Sequence, residues 1–98
     1  MTTMTAAEIE RCIRLLVARY HAEYALLFGS YARGDATPDS DVDVVVVGGA
    51  GFRKMNVFAF AEDLRAMTGK AVDAFELCEL EQGTPFYDAV MSEGKRIA

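Results

Sequence analysis

Asp41-Val42-Asp43 runs straight into four consecutive valines, Val44 to Val47, and no other stretch restricts the fold so tightly. β-Branched residues favour a pleated strand. Valine at both parities leaves neither face polar, so this strand, Asp41 to Val47, is expected to be covered on both sides and to lie inside a sheet. Residues two apart on a strand share a face, with α-carbons roughly 7 Å apart, so Asp41 and Asp43 can aim at a common point at the strand mouth. An unpaired carboxylate beside a buried strand is costly, which argues for a purpose at that position.

The segments on either side supply the rest of a small layered domain. From Thr5, Ile9, Ile13, Leu16, Val17 and Tyr20 recur at helical spacing, and Thr5 with Glu8 fits a capping box. Tyr24 to Phe28 reads as a short buried strand. Gly29 and Ser30 break it abruptly, and Tyr31 to Arg33 form a first helical turn with Ser30 near its N-cap, its backbone N–H groups directed at an anion. Gly34 to Ser40 is a loop. After Gly48 to Gly51, Phe52 to Thr68 reads as a helix burying Val57, Phe60, Ala61, Leu64 and Met67, with Gly69 as its C-terminal cap. Lys70 to Leu77 returns to strand, and Thr84-Pro85 opens a last helix through Ser92. Phe58, Phe60, Met55 and Met67 read as core, while Arg53 and Lys54 either cap the solvated loop that precedes this helix or face phosphates. The N-terminal end is expected to fray, and the last residues either fray or add a strand. The order α-β-(short α)-β-α-β-α gives an α/β (α+β) fold, one small mixed sheet flanked by helices, as a single domain over 1–98.

Charge narrows the partners. A net charge of -5 and a pI near 4.7 leave no basic stripe for a long nucleic acid, whereas divalent cations can reverse the sign of a local site. Cys12 and Cys78 form no ligand pattern and are expected as buried thiols. His21 reads as a surface helix-end residue. Uncharged runs of about nine residues are too short for a membrane span, and a cytoplasmic location is expected.

Two carboxylates this close repel each other unless cations lie between them, and Mg²⁺ suits one or two carboxylates completed by substrate phosphates and water. A calcium loop starting at Asp39 fails, because its glycine position holds Val44 and its terminal glutamate position Ala50. No GxxxxGK[ST] phosphate loop occurs. A glycosyltransferase DxD would need a larger nucleotide-sugar domain.

Gly29-Ser30, ten residues, then Asp41-Val42-Asp43 resembles the signature of the DNA polymerase beta-type nucleotidyltransferase superfamily. Within it, Gly29-Ser30-Tyr31-Ala32-Arg33-Gly34 with Ser40-Asp41-Val42-Asp43 most resembles the minimal nucleotidyltransferases (MNT), and Val72-Asp73 resembles their third carboxylate strand. The resemblance implies that Gly29 and Ser30 hold the β and γ phosphates of ATP, with Arg33 a further phosphate contact. It implies that Asp41, Asp43 and Asp73 ligate two Mg²⁺ ions and that Asp73 helps deprotonate the acceptor hydroxyl. It also implies an antitoxin that adenylylates a HEPN-type toxin. A non-catalytic antitoxin acting by occlusion, an aminoglycoside-type small-molecule transferase, and transfer to RNA ends are the competing readings.

Overall fold

A computed structural model describes residues 4–98. Helix α1, Ala6–Arg19, begins where the sequence places it. Thr5 Oγ1 accepts the N–H of Glu8 at 3.2 Å, and Glu8 Oε1 accepts the N–H of Thr5 at 3.2 Å, so two of the donors a helix start leaves unpaired are satisfied reciprocally. Thr5→Ala is expected to destabilise the protein by about 1 kcal/mol, read as a lower urea midpoint at unchanged slope. An unchanged midpoint would mean that the cap contributes nothing. The expected fraying at the N-terminus concerns Met1 to Thr3, which lie outside the described residues.

Four strands follow: β1, Tyr24–Phe28; β2, Val42–Val47; β3, Val72–Glu76; and β4, Lys95–Ile97, in the sheet order β3-β2-β1-β4. The valine strand is interior, as its two-sided apolar pattern requires, and Val44, Val45 and Val46 are fully buried. Strand β2 runs antiparallel to β1 and parallel to β3. The parallel step needs a crossover, which helix α3, Lys54–Thr68, provides. Val42, Val44 and Val46 face α1 and α3, whereas Val45 packs with Leu26 and Val90 on the opposite face, beneath helix α4, Pro85–Glu93. The three layers are therefore two helices, the sheet, and one short helix. Thr84 caps α4 by accepting the N–H of Tyr87 at 3.2 Å.

Several expectations shift. The valine strand begins at Val42, leaving Asp41 one residue outside it. Helix α3 starts at Lys54 rather than Phe52, because the Phe52 ring lies against the backbone of Gly48, where a Cβ would meet it at 2.1 Å. Of the residues read as α3 core, Val57, Phe60, Ala61 and Leu64 are buried, but Met67 is exposed. Met55 and Phe58, 72% and 62% exposed, fall off the stripe spaced i, i+3, i+4, i+7. Strand β3 stops at Glu76 because Leu77–Glu79 turn as a 3-10 helix. That turn leaves Cys78 exposed, while Cys12 is buried as expected. Burial pushes the Cys12 thiol up and the Glu76 carboxylate pushes Cys78 up, so neither is primed as a thiolate nucleophile. The C-terminal end does add a strand, β4, which pairs antiparallel with β1. No helix among the described residues is long and apolar enough to cross a membrane.

Candidate active site

Three motif segments converge through the register of the sheet. Phe28, the last residue of β1, lies opposite Asp43, and Asp43 lies beside Asp73 on β3. Residues paired across strands point to the same side, so Asp43 and Asp73 share the face that carries Val45 and α4. Their separation of thirty positions in sequence vanishes in one hydrogen-bonded step. Asp41, just ahead of the strand, is exposed, as is Asp73, whereas Asp43 is half-buried.

Gly29 follows Phe28 directly and adopts φ 74° and ψ -151°, a backbone conformation essentially reserved for glycine. A Cβ on Gly29 would lie 2.5 Å from Asp43 Oδ2, so the absent side chain is what lets the turn approach the acid. Helix α2, Ser30–Arg33, starts at once, with Gly29 rather than Ser30 at its N-cap and no side chain capping it. The Gly29 carbonyl accepts the N–H groups of Ala32 and Arg33 at 3.1 and 3.0 Å. Tyr31 anchors this single turn by being buried in the helix-side core. Its hydroxyl is buried without a hydrogen-bond partner among the described residues. Arg33 is exposed, and its Nε donates to Asp35 Oδ2 at 3.3 Å.

Charge at this point is out of balance. The Asp43 carboxyl is pushed up from the ordinary value of 3.8, first by burial, then by the negative charges of Asp73 and Asp41, with a hydrogen bond to Asp73 acting in the same direction. Only Arg33 pulls the other way. Among the described residues no three His, Cys, Asp or Glu side chains are already drawn into a metal-holding group. The donors that Asp41, Asp43 and Asp73 offer are nevertheless all carboxyl oxygens. Mg²⁺ needs only one or two of these when phosphates and water complete its shell, so the residues present fit that ion.

Two residues with no signal in the sequence tie the site together. Lys70 Nζ donates to the Pro38 carbonyl at 2.9 Å and lies 5.7 Å from the centre of the Tyr31 ring. Arg65, in the last turn of α3, donates to the Val72 carbonyl at 2.9 Å, immediately before Asp73. The Val42 N–H donates to the Ala71 carbonyl at 2.9 Å, joining the mouths of the two acid-bearing strands. A cavity of about 420 Å³ lies elsewhere, at the far ends of β2 and β3 among Val47, Gly48, Glu76, Leu80 and Tyr87. The acids line neither it nor a second cavity of about 220 Å³ beside Tyr31 and Thr37. Asp43 and Asp73 stand on the sheet face itself, with Asp41 just ahead of β2.

A Methanocaldococcus jannaschii protein named "Putative protein adenylyltransferase" is 31% identical over 93 residues, covering 89% of this chain and 91% of its own length. A solved structure assigned to a minimal nucleotidyltransferase is 26% identical, with a TM-score of 0.79 and coverage of 97% of this chain and 98% of the other. The fold also matches a solved complex of tri-AMPylated Shewanella oneidensis HEPN toxin with MNT antitoxin, at 21% identity and a TM-score of 0.73, over 96% of this chain and 72% of that one. The family model described as Polymerase beta, Nucleotidyltransferase matches residues 10–98 and so takes in the glycine turn and all three acids. On that match the chain belongs to the Polymerase beta nucleotidyltransferase family.

Proposed function

We propose that this protein transfers AMP from ATP to a hydroxyl group of a protein partner, as an antitoxin acting on a HEPN-type toxin. The observation that carries the reading is the row across the sheet. Asp43 stands between Phe28, which leads into the Gly29 turn, and Asp73, so phosphate and acceptor chemistry have one meeting point. The choice of a protein acceptor is supported by the relative named for protein adenylylation, which matches nearly end to end, and by the fold match to an antitoxin beside an AMPylated toxin.

In this mechanism Gly29 and Ser30 cradle the β and γ phosphates, with backbone N–H groups left unpaired at the start of α2. Arg33 adds positive charge from the same turn. Asp41, Asp43 and Asp73 would hold two Mg²⁺ ions, which when bound neutralise charge between the acids and the triphosphate and polarise the α-phosphate. Asp73, on the exposed edge of the row, accepts the proton of the attacking hydroxyl. The hydroxyl oxygen then bonds to the α-phosphorus while the bond to the bridging oxygen breaks, releasing pyrophosphate.

The test is co-expression with the partner, followed by intact mass of both chains. The partner is expected to gain one or more AMP units, and in vitro transfer of label from α-labelled ATP is expected to stop on chelation of divalent cations and resume on adding Mg²⁺. A stable complex whose partner remains unmodified, yet is still neutralised, would instead establish inhibition by occlusion.

A further inference from the structure

The face that carries the acids also carries an aromatic group assembled from three distant parts of the chain. The Phe28 and Phe75 ring centres are 6.5 Å apart, and Phe86 meets both edge to face, at 5.7 Å and 75° from Phe28 and 5.5 Å and 68° from Phe75. The register fixes where this group stands. Phe28 is opposite Asp43 on β1, and Phe75 lies two residues beyond Asp73 on β3, hence on the same face. A ring touching both flanking strands lies over β2 between them, at the step from Asp43 to Val45.

Phe86 is held from two directions. It sits in the first turn of α4, directly after the Thr84 cap and Pro85, and Val90 one turn later is buried against Leu26 and Val45. Edge-to-face contacts fix the ring relative to its two neighbours, yet 41% of Phe86 remains exposed. The result is a partly open aromatic surface beside the acid row, reached directly from the turn that leaves β1 at Phe28. An exposed aromatic ring of this kind can receive a planar ring.

Resting on the nucleotidyl-transfer reading above, we propose that Phe86, braced by Phe28 and Phe75, is the surface on which the base of the bound nucleotide stacks. Every base has a π-face, so stacking of this kind tolerates different bases. The site therefore gains affinity for a nucleoside triphosphate over bare triphosphate without reading base identity strongly.

The experiment compares the Mg²⁺ complexes of AMP-PNP and inorganic tripolyphosphate, titrated against the full chain and against Phe86→Ala, Phe86→Leu and Phe86→Tyr, with thermal melting to verify folding. Alanine and leucine are expected to weaken AMP-PNP binding roughly 5- to 100-fold, with tripolyphosphate binding unchanged within about twofold and tyrosine restoring AMP-PNP. Leucine keeps apolar packing for α4, so its loss of AMP-PNP binding isolates the π-face. Equal weakening of both ligands, or no weakening of either, overturns the assignment. Wild-type protein that binds tripolyphosphate as tightly as AMP-PNP overturns stacking alone. Wild-type protein that binds neither overturns the nucleotide reading with it.

Discussion

Gly29→Ala is expected to lower the rate of nucleotidyl transfer by about 100-fold or more, with a stability loss of roughly 1–3 kcal/mol. Two separate demands meet at this residue. Its φ of 74° with ψ of -151° strains any side-chain-bearing residue, and its Cβ would lie 2.5 Å from Asp43 Oδ2. The atom it meets is the tip of the half-buried Asp43 side chain, so the acid can give way only by changing where its carboxylate aims. It belongs to an interior strand, with Phe28 opposite on one side and Asp73 on the other, and close-packed surroundings transmit such a displacement. Either the turn at Gly29 or the acid must move, and a shift of about 1 Å in a reacting constellation is worth roughly 100-fold in rate. Gly51→Ala separates backbone strain from this collision. Gly51 also has a positive φ, 83°, but a Cβ there meets nothing within 4 Å, so it should lose about 1 kcal/mol of stability and keep transfer. Equal activity losses in the two variants would show that the approach of Gly29 to Asp43 has no special role.

What could be read along the chain was whatever neighbouring residues decide among themselves. The valines at both parities located the interior strand, Thr5 with Glu8 located the start of α1, and Gly69, with φ of 69°, located the end of α3. Local pattern failed where a residue's environment is set by a distant segment. Lys95–Ile97 carries two charged residues and becomes a strand only because the edge of β1 offers it partners. Met55 and Phe58 are a different case, apolar residues that the helical spacing itself leaves off the stripe that packs on the sheet. At the site, Gly29, Asp41 and Asp43 were legible as a spaced motif, but the placement of Asp73 beside Asp43 is a property of strand register. Phe28, Phe75 and Phe86 form one group only after β1, β2, β3 and α4 are assembled, and nothing in their spacing announces it. The contact from Lys70 to Pro38 is of the same kind, a bond across 32 positions.

Replacing Asp43 by asparagine should produce opposite effects on catalysis and stability. Transfer is expected to fall at least about 1,000-fold, since losing several kcal/mol of charge stabilisation converts at about 1.4 kcal/mol per tenfold. The metal-free protein should nevertheless melt at a higher temperature than wild type at neutral pH. Burial and the charges of Asp73 and Asp41 raise the Asp43 carboxyl in the folded state, so its ionised form is less favourable in the folded chain than in the unfolded chain. A raised carboxyl means that the folded protein binds the proton more tightly. Wild-type stability therefore increases as pH falls through the raised folded value toward the ordinary 3.8. Asparagine carries no charge, so its stability advantage should be fully present above that window and shrink as the pH drops through it. Mg²⁺ with AMP-PNP should stabilise wild type more than the variant, because only wild type offers the central carboxylate. Melting curves from pH 4 to pH 8, with and without the Mg²⁺ nucleotide, measure each of these differences. A variant less stable than wild type at neutral pH without metal would mean that Asp43 supports the fold through contacts other than those seen at the acid row, and that its ionised form is not held there at the expense of stability.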